Sequence, residues 1–168
     1  MPKAVSTILI TREHVFAATV VAKGRRLLDL LNDSLTGYVQ AQEAQVFRSL
    51  DMQQPIASFP TAQVHKSALS MVILTQDEHE APLSRFYGYV QKIPHRVFVA
   101  VPGYEVEGQL HLPPATKPTA VVLQDLEPFF PVTQAKLTRT SPPFETMEVP
   151  VVMIQRPVVE LFCLDDSA

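Results

Sequence analysis

Proline is distributed unevenly along this chain, and that distribution limits what it can fold into. Of 15 prolines, only Pro2, Pro55 and Pro60 precede residue 81, and the other twelve follow it. Proline lacks a backbone N–H and its ring clashes with the preceding helical turn, so the second half can hold no long helix. Hydrophobic residues make up 46% of the chain, enough for a packed core. A half that is rich in both proline and apolar residues is left with strands to build that core.

The apolar spacing agrees. Val5-Ser6-Thr7-Ile8-Leu9-Ile10 is rich in β-branched residues, Arg12-Glu13-His14 turns, and Val15-Phe16-Ala17-Ala18-Thr19-Val20-Val21 returns, which reads as a hairpin. Arg96–Val101, Pro102-Gly103 and Tyr104–Leu112 read as a second hairpin, with Val106, Leu110 and Leu112 on one side. The two lie 91 residues apart, and the offset persists: Leu35 falls on Leu126, Tyr38 on Phe129, Val39 on Phe130 and Arg48 on Arg139. With one residue removed it resumes near the ends, where His65–Val72 lies over Gln155–Phe162. A match of turns and strands over this length predicts a tandem duplication. Its parts are a first copy at 1–76, a linker at 77–95 and a second copy at 96–168. Each copy reads as five short strands, which suits a small, strongly bent sheet closed into a barrel. The first copy adds at most one short helix around Arg25–Leu31, where the second has a proline-rich loop at 113–118.

Charge and composition exclude several classes of function. At 168 residues the chain makes one ordinary domain or two very small ones. A net charge of −3, shared evenly by the halves, gives no global attraction to nucleic acid or an anionic membrane. No apolar run approaches the ~18 residues of a spanning helix. Met1-Pro2-Lys3-Ala4 leads straight into strand-like residues without a signal core, and the single Cys163 excludes a disulfide framework, so a cytoplasmic location is expected.

The order of elements resembles the Sm-like barrels. Gln63–Val72 looks like the closing strands of the bacterial Sm-like RNA chaperone, and Asp29-Leu30-Leu31-Asn32 is similar to the Asp-x-apolar-Asn signature of Sm proteins. Val106–Pro114 and Leu28–Asp33 look closer still to an uncharacterised bacterial family of Sm-like single domains. The resemblance implies five bent strands per copy, ring assembly through strand edges, and RNA held by a basic-histidine pair and an Asn. On this chain those positions are His65, Lys66 and Asn32, with Arg25 and Arg26 as candidate phosphate contacts. The second copy has Leu123, Gln155 and Arg156 at the corresponding places, so RNA binding would be confined to the first copy.

Other chemistry finds little footing. Asn32-x-Ser34-x-x-Gly37 fits half of a cyclic-dinucleotide signature, but the upstream Arg-x-x-x-Arg is missing. No nucleophile elbow or glycine-rich phosphate loop occurs, and the five histidines lack metal-ligand spacing. Cys163, between Phe162 and Leu164, reads as a buried hydrophobe. The residues predict two tandem five-stranded barrels with no enzyme activity, cofactor or metal, and the resemblance makes these barrels Sm-like. The chain is expected to be a binding or assembly module that forms homo-oligomers through strand edges, and an RNA- or nucleotide-binding ring protein is the alternative.

Overall fold

A computed structural model of the protein describes residues 4–75, 92–121 and 123–165. Along these residues run β1 (Ala4–Thr11), β2 (His14–Val21), α1 (Leu27–Asn32), β3 (Tyr38–Arg48), β4 (Ala57–His65) and β5 (Leu69–Leu74). The second half contains β6 (Ile93–Val101), β7 (Tyr104–Leu112), β8 (Phe129–Arg139), β9 (Thr146–Gln155) and β10 (Leu161–Leu164). The fold is all-β, and every strand pairing is antiparallel. β6 starts inside the expected linker, whose residues 77–91 lie outside the described residues.

All ten strands form one sheet, in the order β10-β6-β7-β8-β9-β5-β1-β2-β3-β4. The expected closure into two barrels does not occur. β9 takes the edge of β5, so β4 does not return to it. The composition of β5 explains the exchange. All six of its residues are apolar or small, and all six are buried, so the strand needs cover on both faces. Val72 and Leu74 belong to one hydrophobic cluster, together with Val151 and Met153 of β9. Met71 and Ile73 belong to the other, with Val152 and Ile154. Each cluster therefore draws on both halves. Burial on this scale stabilises by roughly 1.5–3 kcal/mol per side chain.

The same permutation of strands appears twice, β5-β1-β2-β3-β4 and β10-β6-β7-β8-β9. Leu9 pairs with Phe16 and Val99 with Val106, an offset of 90 rather than the expected 91 for the hairpins. Tyr38 pairs with His65 and Phe129 with Gln155, so only the third strand of each half carries the offset of 91. The bends repeat too. β2 and β7 slip register at Ala17/Thr19 and Glu107/Gln109. Glu43 and Gln134 both take a positive φ, 51° and 48°. Gly108 sits at such a slip, where a Cβ would meet Val132 Cγ1 at 2.5 Å and Thr133 O at 2.8 Å, so the crossing backbones require glycine. At Pro102-Gly103 the turn uses proline's fixed φ and a glycine φ of +84°.

Apolar residues are buried to very different degrees. Leu137 is fully buried, while Leu30, Val46, Leu126 and Phe162 are half-buried and Leu35 and Leu161 are exposed. Cys163 is exposed rather than buried.

Candidate functional site

The five residues singled out in the sequence gather where α1 meets the β4–β5 connection, and each makes an internal bond. Arg26 grips Asp29 with two parallel hydrogen bonds of 2.8 Å, from Nε to Oδ2 and from Nη2 to Oδ1. Arg25 Nη1 donates to Asp33 Oδ2 at 2.8 Å, and its Nη2 to the Asp29 carbonyl at 3.3 Å. Both carboxyls are held below the usual carboxylate range. For Asp29 the main cause is the hydrogen bond from Arg26, and for Asp33 the bond from Arg25, then that from the Leu35 N–H. Such ion pairs order the ends of a six-residue helix that has no side-chain N-cap of its own.

Lys66 is buried. Its Nζ donates to Leu30 O at 2.7 Å, Asp33 O at 2.9 Å and Thr36 Oγ1 at 3.0 Å. These acceptors include carbonyls that the end of α1 leaves without a helical partner. Burial pushes the Lys66 ammonium below its ordinary pKa, and the charge of Asp33 partly opposes that. Asn32 bridges the halves: its Nδ2 donates to Phe129 O at 3.0 Å, and the Phe129 N–H donates to its Oδ1 at 2.8 Å. His65 is exposed, with Nδ1 at 2.5 Å from Ser67 Oγ and its ring edge-on to Tyr38 at 4.7 Å.

The second half repeats this arrangement with different residues. Lys66 N–H donates to Gly37 O and Arg156 N–H to Pro128 O, at 2.8 and 2.7 Å, each opening a one-turn 3-10 segment before the last strand. Arg156 Nη1 then reaches the carbonyls of Gln124 and Leu126, as Lys66 reaches those of Leu30 and Asp33. The positive charge retained at Lys66 and Arg156 thus has the same internal partners in both halves, namely carbonyls of the segment between the second and third strands. Gln155, the counterpart of His65, donates from Nε2 to the Lys66 carbonyl at 3.2 Å across the junction. Sequence reasoning did not single out Phe129 or Gln155 as junction residues, nor Arg156 as the fastening cation of the second half. The alignment of His65-Lys66 with Gln155-Arg156 was the available signal.

Two grooves accompany these contacts. One, of about 600 Å³, runs along the junction of the halves between the Arg12–His14 turn, Ser67, Ser70, Pro102 and Val158. The other, of about 410 Å³, lies in the second half among Leu112, Pro113, Val121, Leu126 and Phe130. Among the described residues no group of three or more His, Cys, Asp or Glu could hold a metal ion, and no helix is long and apolar enough to cross a membrane.

The sheet ends provide the remaining candidate surface. Among the described residues, β4 and β10 each have a strand neighbour on one side only. Tyr38, Phe59 and Leu161 lie exposed on or beside them. An edge strand is a template for pairing with another chain. No known protein family matches the chain, and no curated protein or solved structure does either.

Proposed function

We propose that the chain is a non-enzymatic assembly module of two Sm-like halves, which joins other chains through its end strands β4 and β10. One observation carries this reading. The two halves repeat one strand permutation and are already joined edge to edge at β5·β9, which among the described residues leaves one edge of each kind at the ends of the sheet. The RNA reading would need Arg25, Arg26, Asn32 and Lys66 to face a ligand, and all four are engaged in internal bonds. The assembly reading needs none of them.

Light scattering across a dilution series tests it. The expected mass rises with concentration from the 18.7 kDa of one chain toward multiples of it, and Leu161→Lys on the β10 edge holds the mass at one chain. A mass of one chain at every concentration defeats the proposal. Fluorescence anisotropy with a short uridine-rich oligonucleotide separates the alternative. No saturable binding is expected at low salt, whereas tight, salt-sensitive binding lost in His65→Ala would promote RNA.

A further inference from the structure

We infer that the partner at these edges is a second copy of this chain, its β10 lying against β4 in the register that β5 and β9 already use. The inference rests on the assembly reading above and adds the identity and alignment of the partner. β10 is the counterpart of β5 and β4 of β9, so the internal junction shows what each free edge looks like when it is covered. Exposed side chains at the free edges have buried counterparts there. Leu161 is 51% exposed and Met71 is 0%; Tyr38 is 55% and Phe129 is 2%; Phe59 is 60% and Val149 is 9%. Three large side chains on two separate strands and a neighbouring one are exposed in the single chain where the duplicated structure buries them. A strand from an unrelated protein gives no reason for that match, and a repeat of the same junction does.

The register follows. Met71 lies opposite Ile154 and Ile73 opposite Val152. Shifted by 90 residues, Leu161 of one chain lies opposite Val64 of the next, and Cys163 opposite Ala62. The polar groups carry over as well. Gln155 donates across the junction to the Lys66 carbonyl, and its counterpart His65 would reach the Arg156 carbonyl of the next copy. Val15 and Arg139 line a cavity of about 90 Å³ between the halves. Their counterparts are Glu105 and Arg48, both exposed, so the outer junction places opposite charges where the inner one has a valine and an arginine. The outer junction is also the weaker of the two. Val151 and Met153 are replaced by Thr61 and Gln63, and Asn32 by Leu123, which removes apolar area and two hydrogen bonds. Association is therefore reversible while the two halves of one chain stay together. Joining unlike edges head to tail yields a ring with an even number of halves if the rotation closes, and an open filament if it does not.

Cysteine cross-linking reads the register directly. Wild type carries one thiol, so oxidation cannot take it past a covalent dimer. Ala62→Cys places a second thiol opposite Cys163 of the next chain, and a ladder of covalent trimers and higher species is expected on a non-reducing gel. Gln63→Cys lies one residue along, on the other face of the strand, and should cross-link about tenfold more slowly or worse. Charge reversal gives a second readout on exposed side chains. Arg48→Glu should weaken association about tenfold, and adding Glu105→Arg in the same chain should restore it. Association without a ladder from Ala62→Cys, or a double reversal no better than the single, overturns this partner geometry and leaves the edge-assembly reading standing. A chain that never associates overturns both.

Discussion

Lys66 and Arg156 occupy the same place in the two halves, but the segments they fasten differ. In the first half the second and third strands are joined through α1, whose Leu27 and Leu31 are buried and whose ends are tied by Arg25–Asp33 and Arg26–Asp29. The second half bridges the same gap with a proline-rich stretch and two short 3-10 turns at Pro118–Ala120 and Leu123–Asp125. In both halves a cation buries or docks its head against the carbonyls of the connecting segment. The difference shows which part of the unit is constrained. A short helix and a proline loop are interchangeable, whereas the charge that satisfies otherwise unpaired carbonyls is retained, because leaving buried acceptors without donors costs about 1–3 kcal/mol.

The sharpest way to break the equivalence of the halves is to truncate matched positions on their last strands. Ile73 is buried at the junction and its counterpart Cys163 is exposed. Ile73→Ala should cost about 2–5 kcal/mol, while Cys163→Ala should cost less than roughly 0.5 in dilute solution. The corresponding fall in melting temperature for a chain of this size is about 2–4 °C per kcal/mol. Equal melting temperatures for the two variants would mean that the β5·β9 junction does not hold the halves together.

That asymmetry also explains what the sequence could and could not reveal. Strand content, the short helix and the two hairpins were legible, because β-branched runs, turn residues and proline act locally. The hairpin offset was misread by one residue, and the cause is visible at Val15. Matching apolar with apolar aligned Val15 with Val106, yet Val15 belongs to the outer face of its hairpin, buried against the second half, while Val106 belongs with the inward-facing core of its own half. The true counterpart of Val15 is the exposed Glu105. A one-residue slip in a strand exchanges its faces, so an outer face that is itself covered defeats the alternation rule. The same burial of outer faces keeps the sheet open, since the edge of β5 is taken by β9 rather than by its own half. The candidate site was legible as a cluster but not as a role. Asn32, Lys66, Arg25 and Arg26 do gather in space, and their partners are backbone groups, one threonine hydroxyl and nearby carboxylates whose positions no residue pattern announces.

Removing the fastening cations sharpens the comparison at the next level of effect. Lys66→Met keeps most of the aliphatic length and deletes the three donors, leaving Leu30 O, Asp33 O and Thr36 Oγ1 without that partner. A loss of about 1–3 kcal/mol is expected by urea unfolding, together with faster amide exchange in α1. Arg156→Met should act in the same direction through Gln124 O and Leu126 O, but less, because Arg156 is only half-buried. A Lys66→Met variant as stable as wild type would show that the shared geometry of Lys66 and Arg156 contributes nothing to folding.

The smallest expected effect is the response to acid of the two ion pairs at α1 in the first half. Asp29 and Asp33 are both held below their unfolded value of 3.8, chiefly by hydrogen bonds from Arg26 and Arg25 respectively. A carboxyl whose folded pKa is depressed binds fewer protons when folded than when unfolded over the interval between the two values. Its contribution to stability is therefore complete above 3.8 and is lost as pH falls through the folded value. Both pairs are substantially solvent-exposed, so the slope is shallow and salt should flatten it further. Asp33→Asn removes the titrating group next to Lys66 and the Arg25 pair, and its melting temperature should fall less steeply than that of wild type below about pH 4. Amide exchange at acid pH should locate the loss, with protection falling over Leu27–Asn32 while residues 113–118, which lack the two pairs, keep their neutral-pH pattern. Parallel acid profiles for Asp33→Asn and wild type would place the pH dependence elsewhere in the chain, and would leave the Arg25–Asp33 pair as a feature of the helix end that does not affect its stability.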